Sequence, residues 1–233
     1  MYTGQLVPGD TTLVKGTRPN AGWLYLQESS RYERANRLDE TSVTVGVTGP
    51  PALGEVTQSF VHSIAPNYNR PINWDTQLPF EPGLVLAWDH TERLLAIGAG
   101  RFLSADVEPH AGASLGNILT EARAGLQVRT GIRMPHPWLL AAIDSSDTTP
   151  AIWFFADAMM HAVARNEFLA GTLFRSSAHV DERPFVPEYQ VGFTFRLEQV
   201  YITWAAHQLS SEYYSRADGH AWSRISFEYR FTR

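Results

Sequence analysis

The feature that most constrains this chain is a period of two that persists through stretches of ten or more residues. In the closing WSRISFEYRF, Ile225, Phe227, Tyr229 and Phe231 fall on one face and Arg224, Ser226, Glu228 and Arg230 on the other. Val200, Ile202, Trp204 and Ala206 alternate in the same way with Tyr201, Thr203, Ala205 and His207. Ala122, Ala124, Leu126 and Val128 alternate with Glu121, Arg123, Gln127 and Arg129, and Leu103, Ala105 and Val107 with Ser104, Asp106 and Glu108. Successive side chains of a strand point to opposite faces, so this is a β-protein with one apolar and one densely charged face.

A soluble β-sandwich and a membrane β-barrel both alternate, and strand length helps to separate them. The runs 98–109, 118–131, 150–165 and 219–231 approach the ten or so residues of a tilted membrane-spanning strand. Sandwich strands are commonly nearer five or six. Trp23, Trp88, Trp138, Trp153, Trp222, Tyr213 and Tyr214 stand near strand ends. They suit interfacial girdles in a barrel, or core positions in a soluble fold. The pattern alone leaves both architectures open.

Strands are expected near 21–30, 41–48, 82–90, 94–109, 118–131, 150–164, 187–197, 199–210 and 219–231, many of them separated by Gly- and Pro-rich turns. Residues 132–149 and 166–186 read as long loops. Without a repeat or a linker, residues 1–233 read as one domain.

Composition removes several function classes. A net charge of −5 with 19 Lys and Arg and no basic cluster argues against a nucleic-acid partner. The absence of cysteine excludes a disulfide scaffold, a thiolate metal site and a Cys nucleophile. No apolar run is long enough for a transmembrane helix. The opening MYTGQLVPGDTTLVKG has neither a basic n-region nor an apolar h-region, so it does not read as a signal peptide.

One segment breaks the alternation. In GPPALGEVTQSFVHSIAP (49–66), Leu53, Val56, Phe60 and Ile64 share one helical face, and Glu55, Gln58, Ser59 and His62 share the other. Pro50 and Pro51 suit the first helical positions and Pro66 ends the run, which predicts one short helix over 53–65. A lone histidine on a polar helix face is ordinarily a solvated one. There is no GxSxG elbow, HExxH or EF-hand loop.

RPNAGWLYL (18–26), VTVGVTGPPALGEVTQSFVH (43–62), NWDTQLPFEPGL (73–84), PHAGASLGN with AGLQVRTG (109–131), ARNEFLAGTLF (164–174) and FEYRF (227–231) together resemble the LpxR-type lipid A deacylases. The resemblance runs in order along nearly the whole chain. It implies an antiparallel outer-membrane β-barrel of twelve strands, of which about nine are expected here. It implies a hydrolase of the bacterial outer membrane that removes the 3′-linked acyloxyacyl group from lipid A in lipopolysaccharide, with calcium as cofactor. The histidine presented by a short helix beside the barrel wall falls on His62, as general base. A histidine can accept a proton from water near neutral pH, and a calcium ion can hold the developing oxyanion.

The same resemblance places basic residues able to meet lipid A phosphates in the loop holding Lys15 and Arg18, with the better local match at Arg18. Asn73, Trp74, Asp75 and Gln77 suit bracing of the helix by hydrogen bonds, and Asp75 could alternatively orient His62. His110 is a competing catalytic candidate, at a strand end. Family members carry an Asn-Asp pair and then a Thr or Ser before a segment like MYT. The chain is therefore expected to lack the first strands of the family and most of the calcium ligands, to be inactive alone, and to be a monomer. Metal ligands are not assignable. A non-enzymatic outer-membrane barrel that keeps the helix as plug or brace, and a soluble β-sandwich binding module, are the alternatives.

Overall fold

The computed structural model describes residues 16–64, 74, 77–98, 102–138 and 149–229, the side chain of His62 excepted. Ten strands follow in order: β1 Trp23–Arg34, β2 Arg37–Thr48, β3 Pro82–Glu92, β4 Leu95–Ile97, β5 Leu103–Gly116, β6 Leu119–Ile132, β7 Ala151–Asn166, β8 Phe185–Leu197, β9 Val200–Leu209 and β10 His220–Tyr229. Two short helices, α1 Gly54–Ile64 and α2 Glu167–Ala170, lie between strands. The strands form one antiparallel sheet in the order β1-β2-β3-β5-β6-β7-β8-β9-β10, with β4 pairing only with β5. The sheet curls into a half-barrel.

The alternation read from the sequence is the geometry of this wall. Asp106, Glu108 and Arg129 on the concave side are almost fully buried, whereas Leu26, Leu115 and Phe227 on the convex side are 79%, 66% and 74% exposed. Charge inside and apolar side chains outside is the inverse of a soluble sheet, and suits a wall whose convex side meets lipid. The sandwich alternative, which buries apolar faces between two sheets, does not describe this single curled sheet.

The inward charges are paired across strands. Asp106 accepts from Arg129 Nη2 at 2.6 Å and lies 3.0 Å from Arg93 Nη2, while Arg129 also reaches Glu108 at 3.1 Å. Arg123 pairs with Asp89 at 2.6 Å and Glu121 at 3.0 Å. His161 sits between two carboxylates, 3.0 Å from Glu121 and 3.2 Å from Glu188.

The structure corrects several local expectations. The run 94–109 is not one strand: β4 folds back on β5, with Leu95 opposite Val107 and Ile97 opposite Ala105. Gly98, at φ 67°, leaves β4 in the left-handed region that glycine adopts without strain. The strands expected over 21–30 and 41–48 are longer, because β1 and β2 run on through the polar stretch 31–40 to a tight turn with Arg34 opposite Arg37. Pro50 and Pro51 start a separate 3-10 turn, Pro50–Ala52, closed by Leu53 N–H donating to Pro50 O at 3.0 Å, and α1 begins only at Gly54. The seven aromatics expected near strand ends divide between buried and exposed positions. Trp138, Trp153 and Tyr213 are buried, and Trp23 packs against the core at one rim. Trp88, Tyr214 and Trp222 are exposed, Trp222 stacking on His207 at 4.8 Å.

Candidate functional site

The segment 16–22 before β1, the described parts of the β2–β3 connector (49–64, 74 and 77–81), and the connectors 117–118, 167–184 and 210–219 lie at one rim of the half-barrel. Ala21, Leu78, Ile118 and Phe168 form a small core there, with Trp23 and Val85 packed against it. Burying Leu78, Ile118 and Phe168 contributes about 1.5–3 kcal/mol each, enough to pin the connectors over the rim. Leu78 N–H donates to Asn20 O and Glu167 N–H to Ile118 O, both at 2.9 Å.

Helix α1 is fixed to this rim by close approach rather than by its apolar residues. A Cβ on Gly22 would stand 3.0 Å from Ala52 Cβ and 3.1 Å from Gly54 N, so the helix start lies directly on the backbone just before β1. Trp74 lies against Gly54, and its indole N–H donates to Gln58 Oε1 at 2.7 Å with Gln58 buried. This is the bracing expected of Trp74. Position 62 follows Gln58 by one helical turn, on the row that starts with Gly54 and Gln58. The His62 side chain, Asp75, Asn73 and Lys15 lie outside what is described.

Arg18 comes to the same rim and is engaged there. Its guanidinium lies 2.5 Å from Glu212 and 5.8 Å over the Tyr213 ring. His110 lines the concave side in β5, 3.4 Å from Asp157, away from α1's rim connections.

Two buried carboxylates that sequence reasoning passed over stand beside this core. Glu81 Oε1 accepts from Asn117 Nδ2 at 2.8 Å, and Glu81 Oε2 from Leu173 N–H at 2.7 Å. Glu167 Oε1 accepts from the Thr48 hydroxyl at 2.8 Å, while Glu167 Oε2 is buried without a hydrogen-bond partner. Burial pushes the Glu167 carboxyl up to about 7. Its neighbour Glu81 adds to the rise, and Thr48 and Arg165 oppose it. Asn166 caps α2, accepting from Phe168 N–H at 3.1 Å, which fixes where Glu167 points. The only sequence signal was an Asn-Glu pair ahead of an apolar Phe-Leu, too short to be read as a helix. Among the described residues, no group of three or more His, Asp or Glu is placed to hold a metal ion.

The family model of outer membrane protein LpxR matches residues 1–231. The solved structure of LpxR from Salmonella typhimurium superposes with a TM-score of 0.79 at 21% identity, over 95% of this chain and 77% of that one. Comparison with curated protein sequences gives no match. With a charged concave face, an apolar convex face and a family match over almost its full length, the chain belongs to the LpxR family of outer membrane proteins.

Proposed function

We propose that this protein is an outer-membrane hydrolase of the lipid A deacylase type, acting on the 3′-linked acyloxyacyl group with His62 as general base. The observation that carries the reading is α1 itself. A family-matched barrel clamps one short helix at its rim through Gly54, Gln58 and Trp74, with position 62 on the clamped row. In that role a neutral imidazole takes a proton from water as the oxygen adds to the acyl carbon. It returns the proton to the leaving sugar oxygen as the C–O bond breaks. The convex apolar wall fits a substrate that is itself a membrane lipid.

Calcium would supply oxyanion stabilisation. The described residues do not form a ligand set for it. Arg18 fits the recognition of a lipid A phosphate provided its pairing with Glu212 opens or is shared. Asp75 would orient His62.

The test is the mass spectrum of lipid A incubated with calcium and either this chain or the product read through any in-frame codons upstream of Met1. No release is expected from this chain alone, and release by it would overturn that expectation. Release by the longer product, lost in His62→Gln, supports the reading. Release that survives His62→Gln removes the histidine from the mechanism. Release by neither leaves a non-enzymatic barrel of the same family.

A further inference from the structure

The apolar stripe of α1 has no protein partner among the described residues. Val56, Phe60 and Ile64 are 63%, 65% and 70% exposed, and Leu53, just before the helix, is exposed as well. The helix is held from another side, by Gly54 on Gly22 and by Gln58 on Trp74. Successive residues turn by about 100°, so the row 56, 60, 64 lies more than a quarter turn from the row 54, 58.

Two environments adjoin the rim on which α1 sits. The concave side is lined with paired charge, including Asp89, Arg123, Glu121 and His161. The convex side presents Leu24, Leu26, Val43 and Val45 of β1 and β2, all exposed. Gly22, the seat of α1, lies two residues before Leu24, which stands opposite Val47. The stripe therefore starts beside the apolar wall that faces lipid. Between 53 and 64 the only charged side chain described is Glu55, and there is no Lys or Arg. The helix thus has no cation for lipid phosphates, and has apolar area for acyl chains.

We propose that α1 is an interfacial helix, with Val56, Phe60 and Ile64 seated among the acyl chains of the adjoining leaflet and continuing the convex apolar belt of β1 and β2. The helix then lies in the membrane surface, clamped to the barrel on one row and bathed in lipid on another. This rests on the membrane-barrel fold and is independent of the deacylase reading.

The chain has no cysteine, so a single introduced cysteine gives a unique spin-label site. The folded protein in phospholipid vesicles is labelled through Val56→Cys, Phe60→Cys, Glu55→Cys or Ser59→Cys, with Leu24→Cys as the lipid-facing reference. Oxygen, which concentrates in acyl chains, and a water-soluble nickel chelate are used as collision partners. At 56 and 60 the oxygen-to-nickel ratio is expected to match that at 24 and to exceed that at 55 and 59 several-fold. Ratios at 56 and 60 equal to those at 55 overturn the proposal and put the stripe in water. Low collision with both reagents also overturns it, by showing a protein cover. Spin–spin broadening that fades on dilution with unlabelled protein would identify that cover as a second copy, and its absence another part of this chain. Acyl release has no bearing on any of these outcomes.

Discussion

The Thr48 hydroxyl donates to Glu167 Oε1 at 2.8 Å across 119 residues, tying the end of β2 to α2. The bond joins the strand that leads into α1 to the connector between β7 and β8, so the rim is fastened from both sides of the sheet. Its acceptor is a carboxyl that burial holds up at about 7, with Glu81 raising it further and Arg165 opposing.

The pH dependence follows from that raised value. The folded protein keeps a proton on Glu167 that the unfolded chain releases near 4.5, the ordinary value for the group. The stability contributed by the neutral carboxyl is whole below about 4.5 and is lost as the pH rises through about 7. Over that window the loss approaches at most about 1.4 kcal/mol per pH unit. Glu167→Gln keeps a neutral acceptor for Thr48 and is expected to flatten the slope. Unfolding midpoints of the two proteins in detergent, compared across pH 4.5 to 8, check this. Equal slopes would show that Glu167 does not titrate in that range.

A second expectation concerns the seat of α1. Gly54→Ala would place a Cβ 2.7 Å from Trp74 Cη2 and 3.2 Å from Gly22 Cα, closer than a rigid ring and backbone allow. The helix is expected to lift from the rim while the sheet stays intact. Chymotryptic cleavage after Phe60 then quickens, with the strands still protected. Gln58→Ala leaves the Trp74 indole N–H without its acceptor, at a cost of about 1–3 kcal/mol, and loosens α1 in the same direction. Unchanged cleavage in both variants would mean that other contacts fix the helix.

What the sequence made legible is the wall, because lipid and a charged interior impose opposite chemistry on alternate residues. Ala122, Ala124, Leu126 and Val128 could be assigned to one face against Glu121, Arg123, Gln127 and Arg129 without knowing any partner strand. The rule fails where a strand leaves the apolar zone. Tyr32, Arg34, Arg37 and Asp39 share the convex face near the β1–β2 turn, so the expected strands stopped at 30 and resumed at 41. The 53–65 helix was legible from its spacing, but not which row is fixed to the barrel. Gly54 and Gln58 hold it, a role that a hydrophobic pattern cannot display. Glu81 and Glu167 come together only through the register of the strands between them, and each alone reads as an ordinary loop carboxylate.

The interior charges give a third expectation. Asp106 is buried between Arg129, at 2.6 Å, and Arg93, at 3.0 Å. Asp106→Ala leaves both guanidinium groups in a low-dielectric interior with Glu108 as the nearby carboxylate. Loss of a buried partner of this kind costs about 3–5 kcal/mol. The heat-dependent shift in gel mobility is expected to move to lower temperature in Asp106→Ala, and less in Asp106→Asn, which keeps an acceptor oxygen. An Asp106→Ala protein as heat-resistant as the parent would mean that water enters and solvates the arginines.

The pairing of Arg18 with Glu212 separates a structural role from a substrate role. The two side chains are 11% and 17% exposed and their nearest atoms stand 2.5 Å apart, a close and largely buried ion pair. If Arg18 serves chiefly to tie the segment before β1 to the β9–β10 connector, Arg18→Ala and Glu212→Ala destabilise by similar amounts. The double variant then loses little more than either, with a coupling of about 0.5–3 kcal/mol. If Arg18 also meets a lipid A phosphate, Arg18→Ala weakens lipid A binding well beyond its effect on stability. Glu212→Ala removes a carboxylate that competes for the guanidinium and should leave that binding equal or tighter. Stability from thermal unfolding and affinity from lipid A co-sedimentation, measured on the same four proteins, give both readouts. Parallel losses of affinity in the two single variants would reduce Arg18 to a structural tie.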